Sequence, residues 1–332
     1  MNVLVTGGAG YIGSHVVLEL LSHDHEVVVI DDLSTGRREL VDRRAKLIVG
    51  DVGDSRKVAA ILAEHAIEAV LHFAGSVIVP ESMASPLKYY LNNTAKTRTL
   101  LEVCVDHGIG QFVFSSTAAV YGAPEKIPVD ESAPTAPVNP YGRSKLMIEW
   151  MLKDVATACE MRFMALRYFN VAGADPRCRT GQATPDATHL VKVATEVAIG
   201  ERPALEIFGT DYATEDGTCI RDFIHVSDLA DIHVRALDYL RDGGSSRVLN
   251  CGYGRGFSVR QVAQAVRRVS GVDITVVDGP RRAGDPPEIV ADPTALHRHL
   301  DWQPGYDDLD RIVATALAWE KKWHTELITK DG

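Results

Sequence analysis

Through the first half of the chain, short unbroken apolar runs alternate with longer stretches in which apolar residues recur every three or four positions. Runs at about 2–6, 26–31, 46–50, 68–74, 111–116 and 162–168 are short, rich in Val, Ile, Leu and Phe, and bounded by Gly, Asp, Asn or Ser, which predicts strands. Because they are apolar without alternation, both faces of each are expected to be covered. A helical stretch between successive strands then predicts an α/β fold built on a doubly wound parallel, Rossmann-type sheet. After Gly173 the pattern changes to shorter units richer in Gly, Pro, Asp and Arg, with a long loop over 174–186. Helices at about 227–241, 258–270 and 309–324 and strands at 204–208 and 247–250 predict a folded, smaller α/β C-terminal unit over 174–332 after a first domain over 1–173. The helix and strand over 227–250 are candidates to return to the main sheet.

In a sheet of this kind ligands sit beyond the carboxyl ends of the strands. Those ends carry Gly7, Asp31, Asp51, Phe73-Ala74-Gly75, Ser115-Ser116-Thr117 and Tyr168-Phe169-Asn170. The first strand runs into glycines at 7, 10 and 13 and then into a helix. Glycine at those steps allows a tight bend and close approach to a pyrophosphate, which would face the free N–H groups at the helix start. The second strand ends at Asp31, about twenty residues on, where a carboxylate can hold a ribose 2′-hydroxyl and would repel a 2′-phosphate. The two features together predict a dinucleotide site that prefers NAD to NADP, and 1–173 is read as the NAD-binding domain.

The formal charge of −10 argues against a general nucleic-acid or anionic-membrane binder, so a polyanionic ligand must be met by local arginines. No run of about eighteen apolar residues predicts a transmembrane helix, and the chain opens on a strand rather than on signal-peptide features. Five cysteines, at 104, 159, 178, 219 and 251, are odd in number and dispersed, as expected of reduced thiols. These features read as a cytoplasmic protein. The histidines form no metal-binding pattern; His297 and His299, two apart near a helix, would point in different directions.

Tyr141 and Lys145 stand four apart just inside a predicted helix, in Asn139-Pro140-Tyr141-Gly142-Arg143-Ser144-Lys145, and so share one face. A phenol with a reference pKa of about 10 becomes a base near neutrality only with roughly 4 kcal/mol of differential stabilisation. A nearby ammonium and a positive nicotinamide ring are the expected sources. Thr117, at a strand tip, adds a hydroxyl able to bond both a sugar hydroxyl and the tyrosine.

Thr6-Gly7-Gly8-Ala9-Gly10-Tyr11-Ile12-Gly13, Thr117 and Tyr141-x-x-x-Lys145 resemble the extended short-chain dehydrogenase/reductase family. Tyr168-Phe169-Asn170, the run from Tyr212 to Ala230 and the stretch 280–285 narrow the resemblance to its nucleotide-sugar 4-epimerase branch, over nearly the whole chain. This implies a retained NAD, with Tyr11 and Ile12 at the pyrophosphate and Asp31, Asp32, Leu33 and Ser34 around the adenosine ribose. Asp51 and Val52 would lie at the adenine, and Phe73, Ala74, Gly75 and Asn92 along the cofactor. Lys145 would hold the nicotinamide ribose, with Phe169 near the nicotinamide. Asn170, Leu190, Phe208, Arg221, Arg282 and Asp285 would hold the UDP portion of a UDP-sugar. Arginine suits a diphosphate because its planar fork gives bidentate bonds; spacing alone leaves Arg221 equally open to an ion pair with Asp222.

The implied reaction interconverts UDP-galactose and UDP-glucose. Tyr141, as phenolate, takes the 4-hydroxyl proton while a hydride leaves C4; the 4-keto sugar turns and takes the hydride back on its other face. Three positions depart from the common pattern: Val77 replaces a cofactor-contacting lysine, His189 replaces an asparagine beside the substrate, and Ile289 stands where side-chain size relates to N-acetylated sugars. UDP-N-acetylhexosamines and UDP-glucuronate therefore remain alternative substrates. A nucleotide-sugar dehydratase would need a carboxylate pair after Thr117, where this chain has Ala118-Ala119, and a non-catalytic NAD sensor would have no need of both Tyr141 and Lys145. Helices near 86–107 and 139–160 carry broad apolar surfaces, including Tyr90, Leu91, Leu101, Val105, Met147, Trp150, Met151 and Val155. Core packing uses one face of each, and the resemblance implies a homodimer across the other.

Overall fold

The computed structural model describes residues 1–185, 187–282 and 284–327. Asp186 at the end of the expected loop, Ala283 within the 280–285 stretch, and 328–332 lie outside the described residues. Seven strands, β1 (Asn2–Thr6), β2 (Glu26–Asp31), β3 (Lys46–Val49), β4 (Ala69–His72), β5 (Gln111–Thr117), β6 (Arg162–Tyr168) and β7 (Arg247–Cys251), form one sheet in the spatial order β7-β6-β5-β4-β1-β2-β3. All its pairings are parallel. The order reverses between β1 and β4, which opens a crevice at the carboxyl ends of those strands.

Both faces of the sheet are covered, as the unbroken apolar runs require. Val3 and Val5 of β1 join Val16, Val17 and Leu20 of helix α1 (Tyr11–Ser22) and Leu229, Leu237 and Leu240 of the helix Val226–Arg241 in one core. Leu4, between those two valines, faces the opposite core with Phe112 and Phe114 of β5 and Ile148 and Leu152 of the helix Pro140–Ala158. Such two-sided burial is worth about 1.5–3 kcal/mol for each large aliphatic side chain.

β7 joins the main sheet after the chain has begun, and before it completes, a second unit. There the strand Ile220–His225 pairs with Asn170–Ala172, Gly256–Ser258 and Glu288–Ile289. A two-stranded ribbon joins Leu205–Phe208 to Val276–Gly279. The helices Leu190–Ala198, Val259–Ser270 and Leu309–Lys322 share a separate core around Val191, Phe223, Val262, Val266 and Val313. Residues 174–185 contain no helix or strand. Among the described residues no helix is long and apolar enough to cross a membrane.

The helical stretch near 86–107 is not one regular helix. Between Pro86–Tyr89 and Lys96–Asp106 it widens into a π-helical segment, Tyr90–Ala95, a rare geometry that periodicity does not reveal and that occurs often at functional sites. Here it carries Asn92 and Asn93.

Candidate active site

The glycine turn is shaped by contacts that leave no room for a side chain. Gly7 has φ +71°, and a Cβ there would lie 2.6 Å from the Ala74 backbone nitrogen; at Gly13 it would lie 2.2 Å from the Gly7 carbonyl oxygen. The turn closes by Gly10 N–H donating to the Gly7 carbonyl, 3.1 Å. Gly10 caps α1 without a side-chain bond, and the first turn of α1 holds no acidic residue, so the positive end of the helix meets no competing carboxylate. Asp31, at the end of β2, is buried and accepts from Ala9 N–H at 2.9 Å on one oxygen and from Leu33 N–H at 2.8 Å on the other. Burial raises its pKa and the two N–H bonds oppose the rise. A carboxylate offers about four acceptor positions, so each oxygen retains capacity for a ribose hydroxyl.

The neighbouring groups form a rim around this turn. Asp32 accepts from the backbone N–H and hydroxyl of Ser34, closing a local turn through Leu33 at φ 58°. Asp51 accepts from Gly53 N–H and pairs with Lys96 at 2.7 Å, while Val52 is buried beside Val28 and Ile30. Beyond β4, Phe73, Ala74 and Gly75 lead to Ser76, whose N–H donates to Asn93 and whose hydroxyl accepts from Asn92. A cradle in which Gly7 and Gly13 cannot carry a Cβ, an uncontested helix N-terminus and a carboxylate at the ribose position fit NAD.

Tyr141, Lys145 and Thr117 converge beside this rim. Asn139 caps the helix Pro140–Ala158 by accepting from Gly142 N–H at 2.8 Å, and Pro140 occupies the first turn, as expected of a helix start. A Cβ on Gly142 would sit 2.6 Å from the Ala119 carbonyl oxygen. The turn bearing Tyr141 is thus pressed against the residues just after Thr117. Burial raises the Tyr141 phenol pKa, and the Thr117 hydroxyl, hydrogen-bonded to it, lowers it. Lys145 is buried and pushed down to about 8 by desolvation. Its ammonium donates to the Ser115 carbonyl at 2.9 Å and lies 5.0 Å from the Phe114 ring centroid. The Thr117 hydroxyl thus favours the Tyr141 phenolate against the effect of burial.

Sequence reading missed several residues that hold this group in place. Asn93, buried, donates to both the Ser76 carbonyl and the Ser144 hydroxyl, tying the cofactor rim to the residue before Lys145. His72 bridges Thr6 and Thr97 at 2.6 and 2.7 Å, and burial, helped by the Lys145 charge, lowers its pKa to about 3. It is therefore neutral and adds no second cation beside Lys145. No spacing marks Asn93, because the π-helical segment is what turns it inward. Gly142 stood inside the quoted motif, but its contact is long-range.

On the other side of the cleft, Arg221 pairs at 3.8 Å with Asp285 and donates to the Ile220 carbonyl. Asp222 does not serve Arg221: it is buried and accepts from Tyr253, Gly254 and Ala291 N–H groups. Strand alternation separates the two side chains. Arg282 lies flat on Phe208, 3.6 Å from the ring centroid. Asn170 opens the strand Asn170–Ala172, and Leu190 opens the helix Leu190–Ala198. Ile289, paired in register with Arg221, is buried in one apolar cluster with Ala118 and Leu146, against which Phe169 packs. That cluster brings the second unit against the helix of Tyr141. His189 is exposed and shares a hydrogen bond with Gln182 at 2.8 Å, and Val77 is 46% exposed.

A family model described as "NAD dependent epimerase/dehydratase family" matches residues 3–252. The chain belongs to that family. Among members of the NAD dependent epimerase/dehydratase family, a UDP-glucose 4-epimerase from Azospirillum brasilense is 57% identical over 320 residues, 96% of this chain and 92% of the relative. The solved structure of UDP-glucose 4-epimerase from Brucella ovis in complex with NAD superposes with a TM-score of 0.93 at 44% identity, over 96% of this chain and 97% of that one. The corresponding enzyme from Bifidobacterium longum, in complex with NAD+ and UDP, gives 0.93 at 37% identity over 97% and 98%.

Proposed function

We propose that this chain interconverts UDP-galactose and UDP-glucose by inverting C4 of the sugar, with NAD as a retained cofactor. The observation that carries the reading is the convergence of Thr117, Tyr141 and Lys145 beside the glycine turn and Asp31, with the Arg221–Asp285 pair and Arg282 on the facing unit. The glycine turn with Tyr11 and Ile12 receives the pyrophosphate and Asp31 the ribose, with Asp51 and Val52 toward the adenine. Lys145 and Phe169 serve the nicotinamide end, and Asn92 lies along the cofactor. When bound, NAD supplies the hydride acceptor and donor at C4 and a positive charge that favours the Tyr141 phenolate. Tyr141 takes the 4-hydroxyl proton and later returns it, while Thr117 holds both the hydroxyl and the phenol. Arg221, Arg282 and Asp285, with Asn170, Leu190 and Phe208, grip the UDP portion, so the hexose itself is held loosely enough to turn between hydride transfers.

Tyr141→Phe tests the base. Turnover is expected to fall by about a hundredfold or more, with NAD still present after purification; unchanged turnover would remove Tyr141 from this role. Dehydration is disfavoured because the residues after Thr117 are Ala118 and Ala119, which supply no acid/base pair. The active species is a homodimer formed through Leu87, Leu91 and Trp150, large apolar side chains that are 80%, 58% and 51% exposed on elements packed against one another. Light scattering at micromolar concentration should give twice the chain mass, and a monomeric mass would refute the dimer. A cytoplasmic location accords with Cys104, Cys159, Cys219 and Cys251 standing as free thiols.

A further inference from the structure

Behind the site lies a buried polar network that none of the roles above uses. The Glu149 side chain is 0% exposed and that of Arg167 4%. Arg167 donates to both carboxylate oxygens of Glu149, at 2.9 and 2.6 Å, and its third contact goes to the Tyr121 hydroxyl at 2.8 Å. The Ser116 hydroxyl donates to Glu149 at 2.5 Å, and the Tyr121 hydroxyl donates to Asn250 at 2.7 Å. Ser116, Arg167 and Asn250 are in register on β5, β6 and β7, so three adjacent strands and the helix Pro140–Ala158 meet at one carboxylate. Removing a charged pair from water is costly, and replacement by apolar residues is often neutral or stabilising. Its placement therefore calls for a purpose other than stability.

The position of Glu149 supplies that purpose. It lies one turn beyond Lys145 and two beyond Tyr141 on the same helix, while Ser116 immediately precedes Thr117 on β5. We infer that Glu149, locked by the Arg167 fork, is a positioning residue that holds the tip of β5 against the catalytic helix and so sets the Thr117–Tyr141 contact. A second side-chain bond between this strand tip and that helix, Lys145 to the Ser115 carbonyl, comes from a group with its own role toward the cofactor. The fork removes the rotational freedom of Glu149: bidentate pairing fixes both oxygens, leaving Ser116 to transmit the position of the helix to the strand. Since the Thr117 hydroxyl lowers the Tyr141 pKa, slackening this link raises that pKa and moves the pH dependence of turnover.

The inference rests on the epimerase reading, and its test separates the two. Ser116→Ala removes only one hydroxyl and leaves the Glu149–Arg167 pair intact; Glu149→Gln weakens the whole junction. Wild type and both variants, each purified with its bound NAD, are assayed for UDP-galactose conversion across pH. The expected result for Ser116→Ala is full NAD content, kcat lower by about tenfold, KM within about twofold, and the rising limb of kcat displaced to higher pH. The same displacement, larger, is expected for whatever fraction of Glu149→Gln folds with NAD bound. A Ser116→Ala enzyme with wild-type kcat and an unmoved pH profile would overturn the positioning role. So would a loss confined to thermal stability or NAD content. Failure of the wild type to convert any UDP-sugar would instead defeat the epimerase reading itself.

Discussion

Arg282 illustrates how much of the proposed chemistry rests on single side chains in an acidic chain. Its guanidinium lies on Phe208, which presents the fork in one plane and leaves its edge for a phosphate or ribose oxygen. A charge-assisted hydrogen bond contributes about 1.5–3 kcal/mol, so Arg282→Ala should raise both KM for UDP-galactose and the calorimetric Kd for UDP by about ten- to a hundredfold. kcat should change little, because the contact is made equally in ground and transition states; a fall in kcat with unaltered UDP affinity would place Arg282 in the chemistry instead. Residues of this kind can be proposed from sequence because type and motif together suggest a task, as with Tyr141, Lys145 and Asp31. Glu149, Asn93 and His72 were not legible. Each acts through partners far away in the chain, so no local spacing marks it, and a buried glutamate reads in sequence like any helical surface residue.

At the scale of elements, the site depends on how closely a helix start approaches a strand end. Gly142 occupies the first turn of the helix that carries Tyr141 and Lys145, where alanine would ordinarily stabilise by up to about 1 kcal/mol. Here an added Cβ would lie 2.6 Å from the Ala119 carbonyl and 3.0 Å from Pro137, and overpacking of this sort costs about 1–3 kcal/mol. Gly142→Ala should therefore push the Tyr141 turn away from Thr117 and lower kcat by about tenfold with NAD still bound, checked by steady-state turnover and the bound-nucleotide absorbance. Wild-type kcat accompanied by a higher Tm would show that the turn has room to spare. Strands β1, β2, β4, β5 and β6 were readable because burial on both faces leaves unbroken apolar runs, β3, a part-exposed edge strand, by its short apolar run alone, and the cap Asn139-Pro140 announced its helix. The π-helical segment Tyr90–Ala95 was not readable, since apolar periodicity does not mark such a register change and its contacts, to Ser76 and Ser144, are long-range.

Across the whole molecule the chain crosses between its two units more than once. It leaves the main sheet at Phe169, begins the second unit at Asn170, returns through the helix Val226–Arg241 and β7, and leaves again after Cys251. The cofactor rim and the arginines of the facing unit are thus joined by short backbone paths: Phe169 N–H donates to the Cys251 carbonyl, and Ile289 packs with Ala118 and Leu146. Division near 173 follows the change in sequence pattern, but the return of β7 was open in sequence because a single short apolar strand does not say which sheet it joins. Such interleaving suits a reaction in which one unit must hold a cofactor firmly while the other grips only the nucleotide end of its substrate. The central claim is that a hydride leaves C4 and comes back to the same carbon within one active site. UDP-galactose carrying deuterium at C4 should therefore be incubated with the purified protein, with no NAD added, and the product separated by chromatography and weighed by mass spectrometry. UDP-glucose that retains the label at C4 is the predicted result; absence of UDP-glucose, or UDP-glucose whose label has been lost to solvent, would contradict it.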